Sequence, residues 1–406
     1  AAAVYGVQGV ENSANTPGET YMYKGAYWKD NNFIYLMAGQ GQPVMWRYNM
    51  STNNWCHIKK PTSSTTFFNY GVQGTEHVDN YPPTVENPSV WKDGNGNFWM
   101  FGGQVFDESQ YSGSVGRTAW VNTLWKYSPT TNSWTWMKGK NPTTYTQNVN
   151  STNNIPFTPG YYGNKDTADE KNLPASRNKS IFWQRNNELF LAYGAGKLND
   201  NPLKYTDQWK YDILSNNFTW IGGRTAATSN LEYIEDMINP SVYNIPILKN
   251  YFFDGNQTVY GFRASKQNEI WAFNLVDNTW QCIKPEQAYN YGTIGVEAST
   301  NAPYRTANIW IKDGDLYMMG AEAGSNSMVS LWKFNLTTKN YTCLKKGNYN
   351  AGVINQPNVN NLPKAAYEAA NWVNDGKLYL LGGGDSSNSY NDFWEYDFVT
   401  NIFTRK

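Results

Sequence analysis

Leu124-Trp125-Lys126-Tyr127-Ser128-Pro129-Thr130-Thr131-Asn132-Ser133-Trp134-Thr135-Trp136 alternates large apolar and polar side chains on either side of a short polar stretch. Alternation with period two marks strands with one buried face, and Asn tolerates the left-handed backbone of tight turns, so the segment predicts strand, turn, strand. The same Trp-x-(Tyr/Phe) opening stands at Trp46/Tyr48, Trp209/Tyr211, Trp271/Phe273, Trp332/Phe334 and Trp394/Tyr396. Seven residues after each Tyr or Phe comes another aromatic: Trp55, Trp134, Phe218, Trp280, Tyr341 and Phe403. Two before it is Asn53, Asn132, Asn216, Asn278 or Asn401, and in one repeat Lys339.

A second hairpin precedes each Trp. Its turn reads Asp93-Gly94, Asp254-Gly255, Asp313-Gly314 and Asp375-Gly376, with Asp30-Asn31-Asn32 and Asn186-Asn187 in the remaining two repeats. Asp-Gly and Asn-Gly pairs between apolar runs are hairpin signals. Before each first strand stands Asn-x-Pro: Asn15/Pro17, Asn80/Pro82, Asn172/Pro174, Asn244/Pro246, Asn301/Pro303 and Asn361/Pro363. The proline is expected to start the extended first strand. Six units of two hairpins predict an all-β fold, a six-bladed β-propeller with four antiparallel strands per blade taken consecutively. The expectation is a single domain over 1–406 with blades near 15–60, 80–140, 172–223, 244–285, 301–347 and 361–406. Most of the 18 Trp fall in equivalent repeat slots, where they predict inter-blade core; Trp120 is left over.

Composition limits the partners. Lys plus Arg equals Asp plus Glu at 33 each, so no net field favours nucleic acid or an anionic membrane surface. No apolar run approaches the roughly 18 residues that span a bilayer, so the chain reads as soluble with no membrane insertion. Opening on Ala1-Ala2-Ala3, it reads as a processed product or a piece of something longer. Cys56, Cys282 and Cys343 are too few for a disulfide framework and are expected as small buried residues. Seven Asn-x-Ser/Thr sequons occur, the number that 53 Asn and 57 Ser plus Thr give by chance.

The repeats resemble the kelch family, and within it a subtype of large surface and secreted proteins of bacteria and protists. The resemblance rests on the linkers Tyr5-Gly6-Val7-Gln8-Gly9, Tyr70-Gly71-Val72-Gln73-Gly74 and Tyr291-Gly292-Thr293-Ile294-Gly295, on Asn-x-Pro, on the Asp-Gly turns, and on Gly102-Gly103 and Gly382-Gly383 at strand ends. It implies the propeller and leaves function open, because such propellers host binding proteins and a few enzymes. The Arg that often follows Asn-x-Pro in the family remains near Arg177 and Arg305, and only these are carried over as binding residues.

In a four-stranded blade the first and third turns share one face, and the remaining connections share the other. The second face takes the long segments 59–81, 104–122, 138–173, 195–206 and 223–245, and variable loops on a rigid frame are where binding concentrates. Trp120, Tyr111, Tyr145, Tyr161 and Tyr162, together with Arg177 and Arg305, are the candidate ligand- or partner-binding residues. Asp166, Asp169 and Glu170 form an acidic cluster of the kind Ca²⁺ takes, and Glu232, Glu235 and Asp236 another; neither has an ordered ligand spacing, and both read first as solvated loops.

The related galactose oxidase propeller implies two His and two Tyr on copper. The only histidines here, His57 and His77, fall on an outer strand and in a linker, so a copper oxidase is not expected. No phosphate loop, His-Glu-x-x-His or Gly-x-Ser-x-Gly motif is present. The expected function is a non-catalytic, cofactor-free scaffold, extracellular or on the cell surface, that binds protein partners or copies of itself through the variable-loop face. A carbohydrate-binding lectin is the alternative, and a glycan-active enzyme comes third.

Overall fold

The computed structural model describes residues 3–17, 25–38, 43–62, 68–107, 117–141, 158–198, 201–225, 248–263, 266–277, 279–306, 308–322, 325–364, 369–383, 390 and 392–406. Among them every regular element is a β-strand. No helix is long and apolar enough to cross a membrane. The chain divides into two compact units, Ala1–Leu231 and Glu232–Lys406, each with three blades.

In the first unit, blade 1 is Ala26–Asp30, Phe33–Ala38, Val44–Asn49 and Asn54–Lys59. Blade 2 is Ser89–Lys92, Phe98–Phe101, Leu124–Ser128 and Ser133–Lys138. Blade 3 is Ile181–Arg185, Glu188–Ala192, Gln208–Asp212 and Asn217–Gly222. The second unit holds blade 4, Leu248–Phe253, Thr258–Arg263, Ile270–Asn274 and Thr279–Lys284. Blade 5 follows with Asn308–Lys312, Asp315–Glu322, Ser325–Phe334 and Tyr341–Asn348, and blade 6 with Ala370–Asn374, Lys377–Leu381, Phe393–Asp397 and Ile402–Arg405. In every blade the four strands pair antiparallel in sequence order, as the repeat predicts, and the linker strand Glu297–Ala298 adds a fifth beside the last strand of blade 5.

The core lies between neighbouring blades of each unit. Trp28, Tyr35 and Met45 of blade 1 pack with Phe98, Trp125 and Trp134 of blade 2. Trp91 and Trp99 pack with Leu189, Trp209 and Phe218 of blade 3. In the second unit Phe262 and Ile270 meet Trp332 and Tyr341, and Trp310 and Leu331 meet Trp394 and Phe403. Indole groups also tie blades together. Trp28 donates its ring N–H to the Trp99 carbonyl at 3.2 Å, and Trp91 to that of Trp183 at 2.9 Å. These bonds commit both indoles to the blade interfaces.

The turn between third and fourth strands follows from its Asn. Asn53, Asn132, Asn216 and Asn401 have φ between 52° and 58°, and Lys339 has 61°. Where the third strand carries Tyr, its hydroxyl donates to that Asn side chain: Tyr48 to Asn53, Tyr127 to Asn132, Tyr211 to Asn216 and Tyr396 to Asn401, at 2.5–2.8 Å. In blade 5 Phe334 replaces Tyr and Lys339 replaces Asn, so bond and turn residue disappear together.

Three expectations change. First strands begin 7 to 11 residues after the Asn of Asn-x-Pro in the five blades whose linker is described, so the proline does not start them. Segments 104–122 and 195–206 contain regular structure: Val85–Glu86, Gln104–Asp107 and Arg117–Trp120 form a three-stranded sheet, and Ala195–Leu198 pairs with Asn201–Lys204. Cys56 and Cys343 are buried free thiols, but Cys282 is exposed.

Candidate functional site

The linkers of blades 1, 2, 3, 5 and 6 are built alike. Bridges close each one near its ends: Val4 with Thr16, Asn69 with Tyr81, Tyr161 with Leu173, Asn290 with Ala302 and Asn350 with Leu362. The Asn of Asn-x-Pro is the clamp. Asn15, Asn80, Asn172, Asn301 and Asn361 each donate from Nδ2 to two carbonyls, one inside the linker and one on the last strand of the blade that follows. The strand acceptors are Trp55, Trp134, Phe218, Tyr341 and Phe403, all at 2.9–3.0 Å. Two strand residues further on, a linker amide donates to His57, Trp136, Trp220, Cys343 or Arg405.

Glycine is required opposite the clamp. Gly71 has φ +59°, and a Cβ there would stand 2.2 Å from the Asn80 side-chain oxygen; Gly292 and Asn301 repeat the relationship. The linker thereby lies along the outermost strand of its blade and satisfies carbonyls that an open edge would present.

This arrangement leaves aliphatic side chains in solvent. Val7, Val10, Val72, Val78, Ile294, Val296, Val353, Ile354 and Val359 are 52–70 % exposed, and all lie on linkers. Val7, Val72 and Val353 take one position, directly after the clamped glycine. At the next position Gln8 and Gln73 bond back to Ile58 and Met137 carbonyls, whereas Ile294 and Ile354 stand out. The sequence reading missed these residues; their recurrence after the linker glycines Gly6, Gly71, Gly292 and Gly352 was the available signal.

The expected site residues do not converge. Tyr111 and Tyr145 lie outside the described residues, as do Glu232, Glu235 and Asp236. Trp120 is half-buried at the end of the three-stranded sheet, with its indole N–H enclosed. Tyr161 is exposed, but Tyr162 packs on Trp209 and donates its hydroxyl to Asp207 at 2.7 Å.

Arg177 is not a ligand residue. It is fully buried, paired with both Asp207 oxygens at 2.5 and 2.7 Å, with further bonds to the Ala175 and Tyr193 carbonyls and the Tyr205 ring beneath it. The Trp209 indole N–H also donates to Asp207. Arg305 stands one residue nearer its Asn than Arg177 does, and in extended chain that offset turns it outward; it is exposed beside Tyr304, and Thr306 takes the buried place.

Asp166, Asp169 and Glu170 belong to the blade 3 linker and lie along Phe218 and Trp220. Among the described residues no group of three or more His, Cys, Asp or Glu converges as a metal site. His57 is buried with Nδ1 2.7 Å from the Tyr5 carbonyl, and His77 is exposed.

Adjacent blades leave grooves beside the linkers. One of about 400 Å³ lies between the edge of blade 2 and the blade 3 linker; one of about 510 Å³ lies between the edge of blade 5 and the blade 6 linker. A lysine four residues after the last-strand aromatic, Lys59, Lys138 or Lys345, reaches the next linker or turn, donating to the Val78, Glu170 or Asn401 carbonyl. Burial pushes the ammonium of Lys59 down to about 8 and lowers those of Lys138 and Lys345.

Residues 371–406, nearly all of blade 6, match the family model of the Kelch motif. No curated protein matches the chain. Among solved structures, that of YjhT is similar over 96% of this chain and 99% of its own, with a TM-score of 0.53 and 11% identity, a likeness of fold alone. The chain is a six-bladed β-propeller whose sixth blade matches the Kelch motif.

Proposed function

We propose that this propeller is a non-catalytic, extracellular or surface-located scaffold that holds protein partners against its linkers. The observation that carries the reading is the set of solvent-facing aliphatic side chains at recurring linker positions. Exposed apolar side chains repeated on a rigid frame offer contact surface to other proteins. The linkers are also rigid, because each is clamped by its Asn and by backbone bonds to a blade edge, so ordering them on binding costs little. The aromatic side chains that a lectin would stack on sugars are mostly committed to the inter-blade core. The extracellular setting rests on the resemblance to surface and secreted kelch proteins.

The test compares wild type with a Val7→Ser, Val72→Ser, Ile294→Ser, Val353→Ser variant in quantitative pull-downs and on a glycan array. Loss of specific proteins from the variant, with an unchanged melting temperature, supports the reading. Tight, selective sugar binding by both proteins, with no protein partner, overturns it.

A further inference from the structure

We propose that the groove between blades 5 and 6 docks an extended acidic peptide, which seats an aliphatic side chain between Ile294 and Val359 and a carboxylate on Lys345 and Lys346. The inference names a partner chemistry for the linker surface and rests on the scaffold reading above.

The two grooves occupy equivalent places, each beside a last strand, the linker of the next blade and that blade's turn Asn, Asn216 or Asn401. In the blade 2 groove the lysine has its own carboxylates. Lys138 donates to the Glu170 carbonyl at 3.2 Å, and the charges of Glu170 and Asp169 favour its ammonium against the cost of burial. At the matching linker positions the blade 6 linker has Val359 for Glu170 and Asn358 for Asp169.

Lys345 therefore sits in the second groove with burial acting on it and no carboxylate among the described residues to offset that; its ammonium bonds the Asn401 carbonyl at 2.9 Å. Lys346 is next to it, its ammonium 3.6 Å from the Tyr291 ring centre. Among the described residues no acidic one lines this groove. A partly buried ammonium gains from an anion that enters with it, and an exposed aliphatic pair gains from apolar cover.

The shape selects an extended chain. The last strand of blade 5, Tyr341–Asn348, has 8 residues where that of blade 2, Ser133–Lys138, has 6. Its linker pairs Glu297–Ala298 with Tyr341 and Thr342 and bonds the Cys343 carbonyl through the Gly295 amide. The remaining length gives a peptide a strand edge to lie along, with side-chain pockets supplying specificity.

The test is fluorescence anisotropy with the full chain and a fluorescein-labelled hexapeptide that has two central carboxylates flanked by leucines, against the same peptide with carboxamides. The expected result is saturable binding, weakened about fivefold or more by the amide exchange. Val359→Glu, which recreates the Glu170 arrangement at an exposed position, should abolish binding without changing the melting temperature; Lys345→Met should weaken it. Equal affinity for both peptides, no saturation by about 1 mM, or binding unmoved by Val359→Glu overturns the proposal. Natural partners still lost on serine substitution of the linker aliphatics would then show that only the groove assignment had failed.

Discussion

Tyr127 donates its phenolic hydrogen to the side-chain oxygen of Asn132 at 2.6 Å, and Asn132 stands in the left-handed region at φ 52°. One residue makes the turn and the other holds it, so the pair is a unit. Asn132→Ala should cost about 2–3 kcal/mol, from the backbone conformation, the Tyr127 bond and the bond its Nδ2 donates to the Ile58 carbonyl. Tyr127→Phe should cost about 1 kcal/mol, and a double-mutant cycle by urea unfolding should show coupling. Phe334→Tyr in blade 5, opposite Lys339, should gain nothing comparable.

The clamp predicts a local effect. Asn301→Ala removes donors to the Val296 and Tyr341 carbonyls, the second of them buried, and should cost about 2–3 kcal/mol. Hydrogen exchange should rise first at the Gly295 amide, which bonds the Cys343 carbonyl. Gly292→Ala should produce the same pattern, because its Cβ would collide with the Asn301 side chain. Protection at Gly295 unchanged in both variants would contradict the clamp.

The blades were legible because the Trp-x-Tyr to Asn relationship is local: hairpin, turn residue and buried aromatic all lie within about a dozen residues. The clamp was visible only as a recurring Asn-x-Pro, because its acceptors lie 40 to 54 residues away on the edge strand. Arg177 was carried over as a binding residue from the family resemblance alone, and its partner, Asp207, 30 residues distant, is not legible from local sequence. The exposed aliphatics were missed because apolar side chains in a strand-rich sequence read as core; only the clamped loop turns Val7 and Val72 outward.

Arg177 and Asp207 form a buried pair in which each satisfies the other. Asp207→Asn should destabilise the first unit by about 3–5 kcal/mol, since it leaves a buried guanidinium uncompensated. Arg177→Met with Asp207→Leu should be less damaging than Asp207→Asn alone. Chemical denaturation followed by blade 3 tryptophan fluorescence measures both.

Lys59 predicts a pH dependence. Burial holds its folded-state pKa at about 8, below the ordinary 10.5, so between these values the unfolded chain binds the extra proton and stability rises with pH. The gain, on the order of 2–3 kcal/mol, is absent below about pH 8. Lys59→Met should flatten the rise in urea midpoint between pH 8 and 10; an unchanged slope would count against the buried ammonium.

The most direct test of the scaffold reading is quantitative affinity capture from the protein's native surroundings with wild type and the Val7→Ser, Val72→Ser, Ile294→Ser, Val353→Ser variant. The account predicts proteins that wild type enriches saturably and the equally stable variant does not. Identical capture by both proteins would contradict it.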